Sequence, residues 1–145
     1  MKSITALLPA LLLITGSAVA NAGPTTAASL AEVFECKVPP SEAAAILRAN
    51  RIATSGTDLV LEAPITVYGT AVSKVVADAK PGVLTLFSYI PATSIKPIAK
   101  LTGMQEWEDE MGAGYGKQLA PGRDLSMDDT SHEGGIITLQ CTMDT

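Results

Sequence analysis

Cys36 and Cys141 are the only cysteines of the chain, 105 residues apart, and Cys141 stands four residues from the end. Bonded, they close a loop of about 105 residues and force the first and last structured segments together. In the chain-entropy account such closure removes roughly 4–5 kcal/mol of unfolded-state freedom. A domain is stabilised by only about 5–15 kcal/mol, so this one bond decides much about the fold. Whether the thiols pair depends on the compartment, and the first residues bear on that.

The chain opens MKSITALLPALLLITGSAVANAG. Lys2 supplies a positive start, Ile4 to Ile14 an apolar run, and Ala18, Ala20 and Ala22 two overlapping A-x-A cleavage patterns. This is the layout of a secretory signal peptide. Residues 1–22 are therefore expected to be a leader and residues 23–145 a single exported domain, periplasmic or secreted. The apolar run is shorter than the about 20 residues a membrane span requires, so no integral membrane segment is expected after the leader is removed. In an exported chain two cysteines most simply form one disulfide, Cys36–Cys141. There is no C-x-x-C, and no histidine adjoins either thiol, so neither carries the signature of a redox or nucleophilic cysteine.

Without the leader, nine Lys and Arg face fifteen Asp and Glu, a formal charge of −6. Such a surface repels nucleic acid and anionic lipid and favours basic partners. About 120 residues make one ordinary domain.

The pattern along that domain predicts a fold. EVFECKVP (32–39) alternates with period 2, as a strand does, with Phe34, Cys36 and Val38 on one side. SEAAAILRAN (41–50) predicts a helix capped by Ser41 that buries Ile46 and Leu47, with Arg48 and Arg51 as a solvated, dipole-matched end. Residues 59–79 read as strand, interrupted by Pro64 and bent at Gly69. KPGV (80–83) predicts a type II turn into the strand VLTLFSYI (83–90). PATSIKPIAKLTG (91–103) predicts a second helix, capped by Thr93 or Ser94 and closed by Gly103. GIITLQCTM (135–143) predicts the last strand, with Ile137, Leu139 and Cys141 on one face. The resulting β-α-β-β-α-β order is that of a ferredoxin-like two-layer sandwich, with a long loop before the last strand. Its first and last strands are antiparallel neighbours, which would set Cys36 beside Cys141. The alternative is another small α+β antiparallel sheet with its helices on one face.

Three stretches bear on function. GAGYGKQ (112–118) resembles a phosphate loop at first sight, but Met111 stands where a Walker motif needs glycine and Gln118 where it needs Ser or Thr. Its G-x-G-x-G spacing also misses the dinucleotide fingerprint, so no nucleotide or other cofactor is expected. MQEWEDEMGAGYG places Trp107 and Tyr115 among Glu106, Glu108, Asp109 and Glu110. Either Met104, Trp107 and Met111 pack inward on a helical extension, or Trp107, Glu108, Asp109 and Tyr115 form an exposed patch that binds a protein partner. SMDDTSHE (126–133) gathers Asp128, Asp129, His132 and Glu133, weak candidates for a metal site because they offer one nitrogen ligand and no known ligand spacing. The lone His132 also limits triad chemistry. The expectation is a small exported binding protein without catalysis, such as an inhibitor or immunity protein for a basic partner. The alternatives are a metal-dependent or carboxylate-based enzyme using the 128–133 cluster, and a structural subunit that pairs through a sheet edge.

Overall fold

The structure is a computed structural model and describes residues 28–129 and 135–145. The expected leader and cleavage sites lie outside the described residues, as do His132 and Glu133.

The segment expected to be the first strand begins as a helix, α1 (Leu30–Phe34). Ser29 and Glu32 form a capping box. The Glu32 N–H donates to Ser29 Oγ (3.3 Å), and the Ser29 N–H donates to Glu32 Oε2 (2.6 Å). Two backbone donors are thereby satisfied, which outweighs the period-2 pattern that follows. These hydrogen bonds to Ser29 also hold the Glu32 carboxyl below its usual range. The helix then turns off sharply. The N–H groups of Cys36 and Lys37 donate back to the carbonyls of Val33 and Glu32, and Cys36 takes φ 61°. That left-handed position usually goes to glycine. Helix α2 (Pro40–Ala49) follows, starting on Pro40 rather than at a Ser41 cap, because proline suits the first helical position. It buries Ala43 and Leu47, leaves Ile46 half-buried, and ends in the same kind of turn, with Arg51 at φ 58°.

Strands β1 (Leu59–Val67) and β2 (Thr70–Lys80) form a hairpin whose turn residues, Tyr68 and Gly69, have φ 46° and 77°. Two positive φ values in a two-residue connection match the twist of the flanking strands. Pro64 is tolerated because β1 is an edge strand, and its ladder with β2 shifts register between Val60 and Ile65. Pro81 and Gly82 turn β2 into β3 (Val83–Pro91), whose Leu84, Leu86, Ser88 and Ile90 form its buried face. A 3₁₀ turn (Ala92–Ser94) leads into α3 (Ile95–Thr102), which Gly103 ends at φ 71°. Ser94 is the N-cap by position, without a side-chain capping bond.

The expected long loop is three strands: β4 (Gln105–Asp109), β5 (Gly112–Ala120) and β6 (Arg123–Asp128). Trp107 therefore sits on a strand, not on a helical extension. With β7 (Ile136–Asp144) they complete a seven-stranded antiparallel sheet in the order β1-β2-β3-β7-β6-β5-β4. The protein is thus a small α+β fold, and this order does not confirm the ferredoxin-like plan. That plan needs a strand where α1 lies, and it has no place for β4, β5 and β6.

One face of the sheet carries the core. Leu86, Ile90, Leu125, Met127, Leu139 and Met143 are fully buried there together with Phe34, Leu47 and Ile98 from the helices. The disulfide is present, with Cα atoms 5.5 Å apart and both residues buried. It ties the turn after α1 to β7 rather than joining two neighbouring strands.

A polar latch holds the first hairpin to that turn. Glu35 Oε1 accepts from the Tyr68 N–H (2.7 Å), Tyr68 Oη donates to the Glu35 carbonyl (2.5 Å), and Lys37 pairs with Glu35 Oε2 (2.5 Å). Burial, then the Glu35 charge, pushes the Tyr68 phenol up to about 12, with Arg123 pulling weakly the other way. A raised phenol stabilises the fold below the unfolded value near 10, and that stability is lost as pH rises through about 12. An ultraviolet phenolate titration should therefore show one of the three tyrosines ionising near pH 12, with stability falling across that window. Tyr68→Phe should flatten the fall.

Candidate functional site

The side chains of the GAGYGKQ stretch divide between the two faces of β5. Gly114 and Gly116 point to the face opposite the core, while Tyr115 and Lys117 pair with Met127 and Leu125 on the core side. The register of β4 places Trp107 directly opposite Gly114, with Gln105 opposite Gly116. With no side chains in the way, the indole lies down across both glycines. A Cβ built on Gly114 would come within 2.8 Å of Trp107 Cζ2, and one on Gly116 within 3.7 Å of Cδ1. The Gly114 position would also meet the Met127 carbonyl oxygen at 2.1 Å, so glycine is required there. One side of the ring rests on backbone and the residue keeps 37% of its surface exposed. A flat, immobilised and half-exposed indole is the form in which tryptophan anchors a contact at little entropic cost.

Lys117, the residue that first evoked a phosphate loop, has a structural role. Its Nζ donates to the Thr102 carbonyl at the end of α3 (2.8 Å), where a cation complements the helix dipole.

The four residues expected to form one patch do not share a face. Alternation along β4 and β5 puts Trp107 and Asp109 on the open face, and Glu108 and Tyr115 on the other. Tyr115 is half-buried against the core. Asp109 organises the β4–β5 turn, its Oδ1 accepting from the N–H groups of Met111 (2.7 Å) and Gly112 (3.1 Å). All five β4 residues are nevertheless exposed, and Glu106 and Glu108 make no ion pair among the described residues. β4 is the free edge of the sheet on this side. Acidic side chains along a free edge discourage pairing with another copy of the same strand.

The open face continues from Trp107 across the sheet. Register aligns Gln105, Gly116, Ser126, Gln140, Phe87 and Val76 in one row over six strands. Beside Phe87 on the same face, Tyr89 Oη donates to Asp58 Oδ1 (2.8 Å), Lys74 Nζ meets Asp58 Oδ2 (2.5 Å), and the ammonium lies 4.3 Å from the Tyr89 ring centre. The hydrogen bond from Lys74, then that from Tyr89, lowers the Asp58 carboxyl, and Asp58 in turn raises both partners. Alternation puts Phe87 and Tyr89 on one face of β3, but nothing in the sequence connects them to Trp107. Only the strand order does.

Asp128 ends β6 and Asp129 follows, its N–H donating to the Ala113 carbonyl (2.8 Å). No group of three metal-ligating side chains comes together among the described residues, and no helix among them is long and apolar enough to cross a membrane. Comparison with protein-family models, with curated proteins and with solved structures returned no match.

Proposed function

We propose that the chain is an exported, disulfide-closed binding protein without catalysis. Its working surface is the Trp107 shelf with the acidic strand β4, and its partner is a basic protein. An inhibitor or immunity protein against a basic secreted enzyme is the concrete form of this reading. The observation that carries it is the indole laid on Gly114 and Gly116 by an edge strand whose opposite face carries exposed Glu106 and Glu108, which have no ion pair among the described residues. Acidic side chains at the rim steer a cationic partner inward and speed the encounter. The desolvated ring then supplies affinity at the centre.

The test is capture from an envelope extract by immobilised protein, compared with W107A and with E106K/E108K. A basic protein should be retained by the native chain and released in about 1 M salt, where charge is screened beyond about 3 Å. W107A should weaken that capture about thirtyfold, the loss of a strong anchor. E106K/E108K should slow association and remove most of its salt dependence. Undiminished capture of the same protein by both variants would place the surface elsewhere.

A further inference from the structure

Trp107 points to one face of β4, and Glu106 and Glu108 point to the other. A flat partner surface can reach only one of these faces. A strand laid along the edge reaches both, because its own side chains alternate between the same two faces.

The backbone of β4 is open to such an addition. The strand pairs with β5 on one side and with nothing among the described residues on the other. In an antiparallel ladder, facing residues alternate between hydrogen-bonded and non-bonded pairs. The Ala113 carbonyl accepts from the Asp129 N–H on the β6 side of β5 (2.8 Å), so Ala113 turns its backbone away from β4. Glu108, opposite Ala113, and Glu106, opposite Tyr115, therefore turn their N–H and C=O groups outward. The same two residues carry exposed carboxylates. Residues 105–116 include Glu106, Glu108, Asp109 and Glu110 and no base. Lys117, which follows, sends its Nζ to the Thr102 carbonyl. The opposite edge of the sheet is no equal template, because β1 contains Pro64 and shifts register between Val60 and Ile65.

We propose that β4 takes up an extended basic segment of the partner protein as a further, antiparallel strand of the sheet. The segment reads cation, apolar, cation. Its cations stand opposite Glu106 and Glu108 and exchange backbone hydrogen bonds with them, and the apolar residue between lies against Trp107. Opposite charges that face each other across a ladder attract and like charges repel, so a basic strand is selected and a second copy of β4 is rejected. The proposal rests on the reading of Trp107 and β4 as the partner surface, and it names how that partner is held.

The probe is the capped peptide TKVKVKT, whose lysines share one face and whose valines share the other, titrated calorimetrically into the native protein. Saturable binding at one site is expected. Two methylated forms keep its sequence and charge. N-methylation of the lysines blocks the amides that face β4 and should weaken binding about tenfold or more. N-methylation of the valines blocks amides that point to solvent and should change affinity by about twofold at most. This contrast leaves the protein untouched, so no folding effect enters it. W107A should weaken the unmodified peptide about tenfold, and E106Q/E108Q about fivefold through two facing charge pairs. Absence of saturable binding, equal binding of the two methylated forms, or a greater loss from the valine methylations would each overturn strand addition. Any of these beside W107A-sensitive capture of a basic protein from extract would overturn strand addition alone and leave the Trp107 surface standing.

Discussion

Removing the disulfide as C36A/C141A is expected to lower the unfolding free energy by about 4–5 kcal/mol and the melting midpoint by roughly 20 °C. The size follows from the separation of 105 residues, since closing so long a loop restricts the unfolded chain strongly. The turn after α1 would also lose its tether to β7. The backbone at Cys36 supplies an internal control. Cys36 sits at φ 61°, a conformation that costs a residue with a Cβ about 1–2 kcal/mol and glycine almost nothing. C36G/C141A should therefore recover about 1 kcal/mol relative to C36A/C141A. Urea denaturation of the three proteins measures both differences. A loss below about 1 kcal/mol for C36A/C141A would mean that the bond contributes little.

The central hairpin was legible because every cue agreed: Pro81 and Gly82 at the turn, and strict alternation from Val83 to Ile90. The same signals were present between β4 and β6 but fainter. Pro121 and Gly122 form a second Pro-Gly turn, with Gly122 at φ 66°. Leu125 and Met127 alternate with Asp124, Ser126 and Asp128, as one buried face requires. What hid these strands was composition. Glycine, acids and lysine are depleted in strands, and β4 is exposed at every position, so no apolar period marks it. Glycine at alternate positions from Gly112 to Gly116 is itself a period-2 signal, the empty face on which a neighbouring side chain lies.

At the N-terminus the conflict ran the other way. The alternation from Val33 to Val38 is real, but it spans a short helix and its turn rather than a strand. The S-x-x-E pattern of Ser29 and Glu32 was the competing cue, and it prevails because it satisfies two backbone donors locally. The disulfide was legible from cysteine number and the expected compartment, which hold under any topology. The strand order was not legible, because it rests on pairings between β7 and β6 and between β3 and β7 that are set by packing across the whole sheet.

The Trp107 shelf is most directly tested by comparing two substitutions in the same strand. At Gly114 an added Cβ would sit 2.1 Å from the Met127 carbonyl oxygen and 2.8 Å from the indole. Backbone cannot yield cheaply, so β5 must move from β6 and Trp107 must lift. At Gly116 the nearest atoms are 3.7–3.9 Å away, ordinary contact distances. Gly114→Ala is expected to cost about 3 kcal/mol or more, at the upper end of overpacking effects. Gly116→Ala should be neutral or stabilising by less than about 1 kcal/mol, since alanine loses less backbone freedom on folding. Trp107 is the only tryptophan, so its emission follows the ring directly during the same urea titration. A large destabilisation with altered emission for Gly114→Ala, beside a near-native Gly116→Ala, is the predicted result. Equal and small effects at both positions would contradict an indole seated on the glycines.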